Sequence, residues 1–218
     1  MAESLKSKAY RDISRRILSG ELVPGEFLNR RSVAAELGMS PAPVLEAMIL
    51  LETESLLETI PRKGTRVRIH RLEEVRGHFL VREALECQVA RTVFGQPVKD
   101  HFDELAALAR KVDEMRGMNQ LHLWEAEVAF HCALADLVHN PILTEALRKS
   151  LRADLFYKLR YVVNRNGSER RSHLKLLEKL CDAPDAVSAE NICRSDLRHG
   201  RAGQFMNNYL EKETENDA

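Results

Sequence analysis

The chain has 218 residues, of which 44% are apolar, 30% are charged and only 6% are aromatic, so it is neither a disordered nor a fibrous protein. Frequent Ala, Leu, Glu and Arg with so few aromatic residues favour helix over sheet. The net charge of zero combines a basic front end and an acidic remainder. Residues 1–71 carry 12 Lys and Arg against 9 Asp and Glu, and residues 72–218 carry 21 against 24. This asymmetry indicates two modules, of which the first is suited to a polyanion.

The sequence also argues against membrane proteins and secreted disulfide scaffolds. No apolar run approaches the ~20 uncharged residues of a membrane span, and residues 1–16 lack the apolar stretch of a secretion signal. The four cysteines are scattered without a CxxC pair, which argues against a disulfide framework or a thiolate zinc site. We therefore expect a cytoplasmic protein with reduced thiols and no membrane partner.

The first predicted element is a helix that ends at a glycine. Apolar and small residues recur with helical spacing from Ala9 to Leu18. Gly20 then stops the helix before a turn at residues 23–25. This helix opens the front module.

Two more helices follow at close spacing. The pattern at residues 32–37 predicts a short helix with a stop at Gly38. Ser40 is then a helix N-cap, with Pro41 at the first helical position, where its missing N–H costs little. The predicted inward face of this third helix consists of Val44, Ala47, Met48 and Leu51.

Two extended runs complete the front module, residues 56–60 and residues 65–69, joined by a basic tip at residues 61–64. Helix, short helix, tight turn, helix and basic hairpin is the order of a winged helix-turn-helix, whose third helix enters the DNA major groove. Residues 1–70 are therefore predicted to form a winged helix-turn-helix DNA-binding domain. For each basic side chain alone, a solvated surface is the alternative interpretation. The side chains suited to phosphate or minor-groove contacts are Arg30, Arg31, Ser40, Arg62, Lys63 and Arg66.

Three segments of the front module, residues 17–28, 33–40 and 43–48, resemble the DNA-binding domain of GntR-family bacterial transcription regulators in their turns, glycines and helix starts. The resemblance implies a homodimer that binds a double-stranded, pseudo-palindromic DNA operator. Members of the family carry arginine directly after the serine cap and again four residues on, where this chain has Pro41 and Leu45. Neither residue can make the bidentate contact of arginine with guanine, so phosphate contacts are expected to dominate.

Residues 71–218, the back module, are predicted to form an all-helical bundle. Helical patterns alternate with turn signals at five places, which divides the module into about six helices. A helical domain of this size is large enough to enclose a ligand cavity. The turn signals lie at residues 95–97, 117–119, 139–141, 164–168 and 183–185.

Two charged residues interrupt the apolar stripe of the first helix in the back module. Arg82 and Glu86 are four residues apart, so they share one helix face. They either pair with each other, or the arginine reaches a carboxylate ligand. The apolar members of the stripe are Val75, Phe79, Val89 and Val93.

Histidines on inward faces predict a metal site. Glu127 and His131 are four residues apart on one helix face, and His173 lies on the apolar stripe of a later helix. Such a set suits Zn²⁺, Ni²⁺ or Mn²⁺ and leaves coordination positions open, whereas satisfied core histidines are the alternative. The fourth candidate is His199, whose predicted stripe contains Ile192, Ser195 and Met206.

The same residues, in the same chain order, resemble the effector domain of FadR-type regulators in the GntR family, the FCD domain. In that subgroup an aspartate and three histidines hold a divalent metal that helps to anchor a small carboxylate effector. The resemblance implies that the back module is an effector-binding domain. It assigns the metal to Glu127, His131, His173 and His199, with glutamate in place of the usual aspartate.

These inferences combine into a ligand-responsive transcription regulator that is not an enzyme. Its effector is expected to be a small organic acid, held by the metal ion and by Arg82. One alternative is a metal-dependent hydrolase, which needs a general base beside the metal, and spacing marks no carboxylate besides Glu127. Another is a metal- or metabolite-binding protein that has lost operator reading, which Pro41 and Leu45 favour.

Overall fold

The computed structural model of the chain describes residues 3–115, 120–161 and 172–199. The chain divides into two compact units, which we call the front unit (Met1–Arg71) and the back unit (Leu72–Ala218). Each unit has its own hydrophobic core and is described separately.

The front unit begins with helix α1 (Leu5–Ser19), which Ser4 caps by accepting a hydrogen bond from the Ser7 N–H. The helix ends, as predicted, at Gly20, which adopts a φ of +78°. This left-handed conformation favours glycine because it has no Cβ. The buried residues of α1 are Ala9, Ile13, Ser14 and Leu18.

Helices α2 and α3 form the helix-turn-helix. Helix α2 (Arg30–Glu36) starts after Asn29, whose side-chain oxygen accepts two backbone N–H groups of the first turn. Helix α3 (Pro41–Thr53) starts after the predicted cap Ser40, although the Ser40 hydroxyl makes no capping hydrogen bond. The predicted inward residues pack against α1 and α2, and all four are buried: Val44, Ala47, Met48 and Leu51.

A small antiparallel sheet completes the front unit. Its strands β1 (Phe27–Leu28), β2 (Leu57–Ile60) and β3 (Gly64–Val67) lie in the order β1-β3-β2. Strands β2 and β3 form the predicted basic hairpin, in which Arg62 has a φ of +66°. Strand β3 ends two residues before its predicted end, and β1 escapes prediction because two residues are too few to alternate. The predicted winged helix-turn-helix is confirmed.

The described residues of the back unit are helical, which confirms the predicted fold class. They contain seven helices rather than about six, because a short helix follows Gly95. The predicted breaks at residues 117–119 and 164–168 lie outside the described residues. The helices are α4 (Leu72–Val93), α5 (Gln96–Asp100), α6 (Phe102–Glu114), α7 (Gln120–Asp136), α8 (Pro141–Tyr161), α9 (His173–Cys181) and α10 (Ala186–His199).

Helix α4 packs against α8 and α10, and α6 packs against α7 and α9. The predicted stripe of α4 is buried together with its two charged members, since Arg82 is 2% exposed and Glu86 is 4% exposed. Contacts between α4 and α7 bring this stripe to the face of α7 that carries Glu127 and His131. The candidate site of the back unit therefore lies in its core.

No single described helix is long and apolar enough to cross a membrane, although the bent pair of α2 and α3 meets that test by length and composition.

Burial raises the pKa of the Cys132 thiol to about 11, so that thiol stays protonated near neutral pH. None of the four cysteines forms a disulfide, and all four are buried: Cys87, Cys132, Cys181 and Cys193.

Candidate DNA-binding surface and metal centre

The front unit exposes five of its six predicted DNA-contacting residues. Arg30 and Arg31 form the first turn of α2, and Ser40 precedes α3. Arg62 and Lys63 lie at the tip of the β2–β3 hairpin. All five side chains are accessible to a ligand.

The sixth residue, Arg66, is half-buried on strand β3. Its Nε donates a hydrogen bond of 2.8 Å to Oε1 of Glu58, the facing residue on β2. Because this carboxylate offsets its charge, Arg66 contributes less to an attraction for phosphate than an exposed arginine does.

The outer face of α3 carries exposed aliphatic side chains beside two exposed glutamates, Glu46 and Glu52. Leu45 is 40% exposed, whereas the preceding residue, Val44, is fully buried. Ile49, one turn further along, is 52% exposed. The prediction that Leu45 points away from the core is therefore confirmed.

The back unit brings together three of the four predicted metal ligands. Glu127 and His131 lie one turn apart on α7, and His173 is the first residue of α9. Oε2 of Glu127 lies 3.6 Å from Nε2 of His131 and 3.6 Å from Nε2 of His173. The ligand atoms of all three residues lie within 4.8 Å of one another.

Each imidazole faces a second carboxylate through its other nitrogen. Nδ1 of His131 lies 3.2 Å from Oε2 of Glu86, on α4. Nδ1 of His173 lies 3.3 Å from Oδ1 of Asp113, on α6. Because an ionised carboxylate only accepts hydrogen bonds, we place the protons on the two Nδ1 atoms. The Nε2 lone pairs then point towards Glu127, which is the orientation that metal-binding histidines adopt.

Asp113 is a site residue that sequence reasoning missed. It accepts a hydrogen bond of 2.8 Å from the Ser172 hydroxyl and one of 3.1 Å from the His173 N–H, so it also holds the start of α9. It precedes His173 by 60 residues. No spacing rule connects residues so far apart, and only the packing of α6 against α9 joins them.

The protonation state of His131 suits metal binding. Burial is the largest influence on its pKa and lowers it, although the carboxylate of Glu86 opposes this shift. The imidazole is therefore neutral near pH 7, which is the form that coordinates a metal ion.

The donor set fits a divalent transition metal. Two imidazoles and one carboxylate are ligands that Zn²⁺, Ni²⁺ and Mn²⁺ accept. Two ligands bound at ~2.1 Å to a tetrahedral ion lie ~3.4 Å apart. The two 3.6 Å separations from Oε2 of Glu127 are close to that value. A cation between the three groups would also offset the repulsion between the carboxylate and the two lone pairs.

Arg82 borders this cluster. Its Nε donates a hydrogen bond of 2.5 Å to Oε1 of Glu86, so the predicted pairing of these two residues is observed. Its Nη2 lies 3.5 Å from Nε2 of His131 and 4.0 Å from Oε2 of Glu127. The guanidinium thus faces the candidate metal-ligand cluster at the same time as it pairs with Glu86.

The structure does not bring His199 into the cluster. It is the last residue of α10, it is exposed, and its Nδ1 lies 2.7 Å from the carbonyl oxygen of Ser195. The predicted inward stripe of α10 is wrong, since Ser195 and His199 are both exposed, and its member Met206 lies outside the described residues. The buried face of α10 consists instead of Ala189, Cys193 and Leu197.

Comparisons with known proteins agree with both units. Residues 5–67 match the family described as bacterial regulatory proteins, gntR family, and residues 78–199 match the FCD domain. The uncharacterized HTH-type transcriptional regulator YdhC of Bacillus subtilis is 26% identical over 181 residues, which cover 78% of each chain. The Nta operon transcriptional regulator of Aminobacter aminovorans is 26% identical over 180 residues, which cover 81% of this chain and 83% of that protein.

A solved structure shares the fold. McbR/YncC of E. coli superposes with a TM-score of 0.60 at 20% identity, over 95% of this chain and 100% of that one. A gntR-family winged helix-turn-helix followed by an FCD domain defines a DNA-binding transcription regulator. The chain belongs to the GntR family of bacterial transcription regulators and carries the FCD domain of its FadR-type subgroup.

Membership of this family fixes the general activity. GntR regulators bind DNA operators, and FCD domains commonly bind metal ions. The relatives are transcription regulators rather than enzymes, which removes the metal-dependent hydrolase from consideration.

Proposed function

We propose that this regulator responds to a small organic acid, which binds in the back unit and changes the affinity of the front unit for DNA. The observation that carries the proposal is the position of Arg82 beside Glu127, His131 and His173. Guanidinium groups and metal ions are both strong partners for carboxylates. Nη2 of Arg82 lies 4.0 Å from Oε2 of Glu127, a candidate metal-ligand atom. One small carboxylate could therefore contact both the guanidinium and the bound ion.

Glu127, His131 and His173 would hold a Zn²⁺, Ni²⁺ or Mn²⁺ ion, and His199 stays the predicted fourth ligand. When bound, the ion supplies a Lewis-acidic position for an effector carboxylate. The residues around it have separate tasks: Glu86 and Asp113 orient the two imidazoles through their Nδ1 atoms. Arg82 provides a second positive charge that fixes the orientation of the acid.

We assign DNA binding to residues 1–70 and effector binding to residues 71–218. Two copies of the chain would form a homodimer in the cytoplasm, with one front unit on each half of a pseudo-palindromic operator. The exposed basic residues would contact phosphates, and Ser40 would lie at the start of the recognition helix. The phosphate-contacting residues are Arg30, Arg31, Arg62 and Lys63, with a smaller contribution from Arg66.

The substitution Arg82→Lys tests the effector site. Lysine keeps a positive charge beside Glu86 but loses the planar fork that binds a carboxylate through two N–H groups. We expect the affinity of the Zn²⁺-loaded protein for small carboxylates to fall about tenfold or more, with one bound ion per chain unchanged. Calorimetric titration with a set of mono-, di- and tricarboxylates measures the change.

A matched control for Arg82→Lys is Arg91→Lys, on an exposed part of the same helix. This variant should bind the acids as the natural protein does. Equal affinities in all three proteins would show that Arg82 pairs with Glu86 but does not bind the acid.

The substitution Leu45→Arg tests the DNA-binding surface. Because Leu45 is exposed, we expect the free energy of unfolding to change by less than about 0.5 kcal/mol. The added charge should strengthen binding to duplex DNA at low salt. Denaturant unfolding and a DNA titration measure the two effects.

The control for Leu45→Arg is Leu51→Ala, at a fully buried position of the same helix. That change should cost about 2–5 kcal/mol of unfolding free energy. A comparable loss in Leu45→Arg would contradict the outward orientation of Leu45.

A further inference from the structure

The outward face of α3 presents aliphatic side chains where a major-groove helix ordinarily presents polar ones. Ala42, Leu45 and Ile49 follow each other at spacings of three and four residues, so they share one face, and all three are exposed. Exposed Glu46 borders this face. The core needs none of them, because the opposite face of α3 already packs against α1 and α2. This exposed aliphatic face is therefore available to contact another molecule.

The charges of the same unit indicate what that surface is. Arg30 and Arg31 are exposed at the start of α2, and Arg62 and Lys63 are exposed at the hairpin tip. Exposed cations of this kind favour a polyanion, and the winged helix-turn-helix places its third helix in the DNA major groove. The occupant that satisfies both the basic residues and the fold is double-stranded DNA.

The major groove offers few partners to such a face. Between Ser40 and Ile49, Glu46 is the only ionisable residue of the helix, and no arginine, asparagine or glutamine is present. The bidentate contacts that recognise guanine or adenine are therefore not available to this part of α3. The apolar group in the major groove is the C5-methyl of thymine, which aliphatic side chains contact.

We infer that the recognition helix reads thymine, with Leu45 and Ile49 packed against thymine methyl groups in each half of the operator. The inference rests on the proposed binding of DNA by the front unit. It adds a base preference that the phosphate contacts cannot supply, because phosphates carry no sequence information. Specificity then comes from methyl contacts, each of which contributes about the free energy of burying one carbon group.

Replacement of thymine by uracil removes only the methyl group and keeps the base pair. The full-length protein would first select duplexes from a random pool, and the enriched sequence would then be made with uracil at each enriched thymine. Each contacted methyl should be worth about a fourfold change in affinity, which corresponds to the burial of one carbon group. Uracil at thymines outside the enriched core should change nothing.

A double-mutant cycle connects this effect to the side chain. Leu45→Ala should bind the thymine and uracil duplexes with equal affinity at the contacted position. Leu5→Ala, a leucine of α1 that is 55% exposed, is the matched control and should keep the fourfold preference. The same comparison with Ile49→Ala identifies the methyl group that Ile49 contacts.

The outcomes separate this inference from the proposed function. Loss of affinity on uracil substitution that disappears in Leu45→Ala supports thymine reading. Equal binding of thymine and uracil duplexes, or selection of no enriched sequence, overturns it and leaves DNA binding intact. Failure to bind any duplex at low salt overturns both the inference and the proposed DNA-binding role.

Discussion

Removal of bound metal with a chelator is expected to lower the melting temperature of the back unit by about 10 °C. A ligand present at 1,000 times its dissociation constant stabilises the folded state by about 4 kcal/mol. For a protein of this size, each kcal/mol shifts the melting temperature by about 2–4 °C. The physical reason is that the ion would join α7 to α9 through Glu127, His131 and His173, which do not form a site in the unfolded chain. Scanning calorimetry with and without chelator measures the shift.

Histidine variants make this experiment specific. His173→Ala should bind less than one ion per chain and should melt at the same temperature with and without chelator. His122→Ala, an exposed histidine on α7, should keep both the ion and the shift. His199→Ala tests the fourth ligand, because an intermediate shift would indicate that His199 coordinates the ion. Elemental analysis that finds no divalent ion, with no stabilisation on addition of Zn²⁺, Ni²⁺ or Mn²⁺, would contradict the metal site. Glu127, His131 and His173 would then only pack in the core.

Binding to duplex DNA is expected to fall on the order of 10⁴-fold between 50 mM and 200 mM salt, because phosphate contacts would supply most of the affinity. Four exposed basic residues in each front unit give about eight contacts in a dimer, and each contact contributes a slope of about 0.9 in the logarithmic salt dependence. Titrations at several salt concentrations measure that slope. The four residues are Arg30, Arg31, Arg62 and Lys63.

Neutral substitutions identify which side chains contribute to the slope. Arg62→Gln should reduce it by about 1.8 in a dimer, since two contacts are lost. Arg66→Gln should have a smaller effect because Glu58 already pairs with that arginine. Arg110→Gln removes the same charge from an exposed position of the back unit and should leave the slope unchanged. A slope near zero in the natural protein would contradict the assignment of these residues to phosphate.

The helices of the front unit were predictable because local signals mark their ends. Gly20 and Pro41 act within one turn of the chain, and the apolar spacing of α3 gave the correct phase, with Val44 inside and Leu45 outside. Strand β1 carries no such signal. Its two residues are extended because β3 offers hydrogen-bond partners about 40 positions later, which is a tertiary effect.

The candidate metal centre was predictable only in part. Glu127 and His131 share a helix face by spacing alone, and His173 lies on an apolar stripe, so burial of the two imidazoles followed from local pattern. Asp113 lies on another helix, so its position beside His173 could not be predicted from local spacing. The predicted stripe of α10 shows the opposite error, because the apolar spacing of this helix fits more than one phase and α10 buries Leu197 rather than the face of His199.

The response of DNA binding to small carboxylates tests the proposed regulator most directly. The affinity of the full-length protein for its selected duplex would be measured with a set of mono-, di- and tricarboxylates, in the Zn²⁺-loaded and in the chelated protein. We expect at least one acid to change the affinity of the loaded protein by about 5–150-fold, the usual range of coupling between two sites. The chelated protein and His173→Ala should bind DNA at low salt but should not respond to the acid. An acid that acts equally on the loaded and the chelated protein, or a loaded protein that no acid affects, would contradict a metal-assisted carboxylate site.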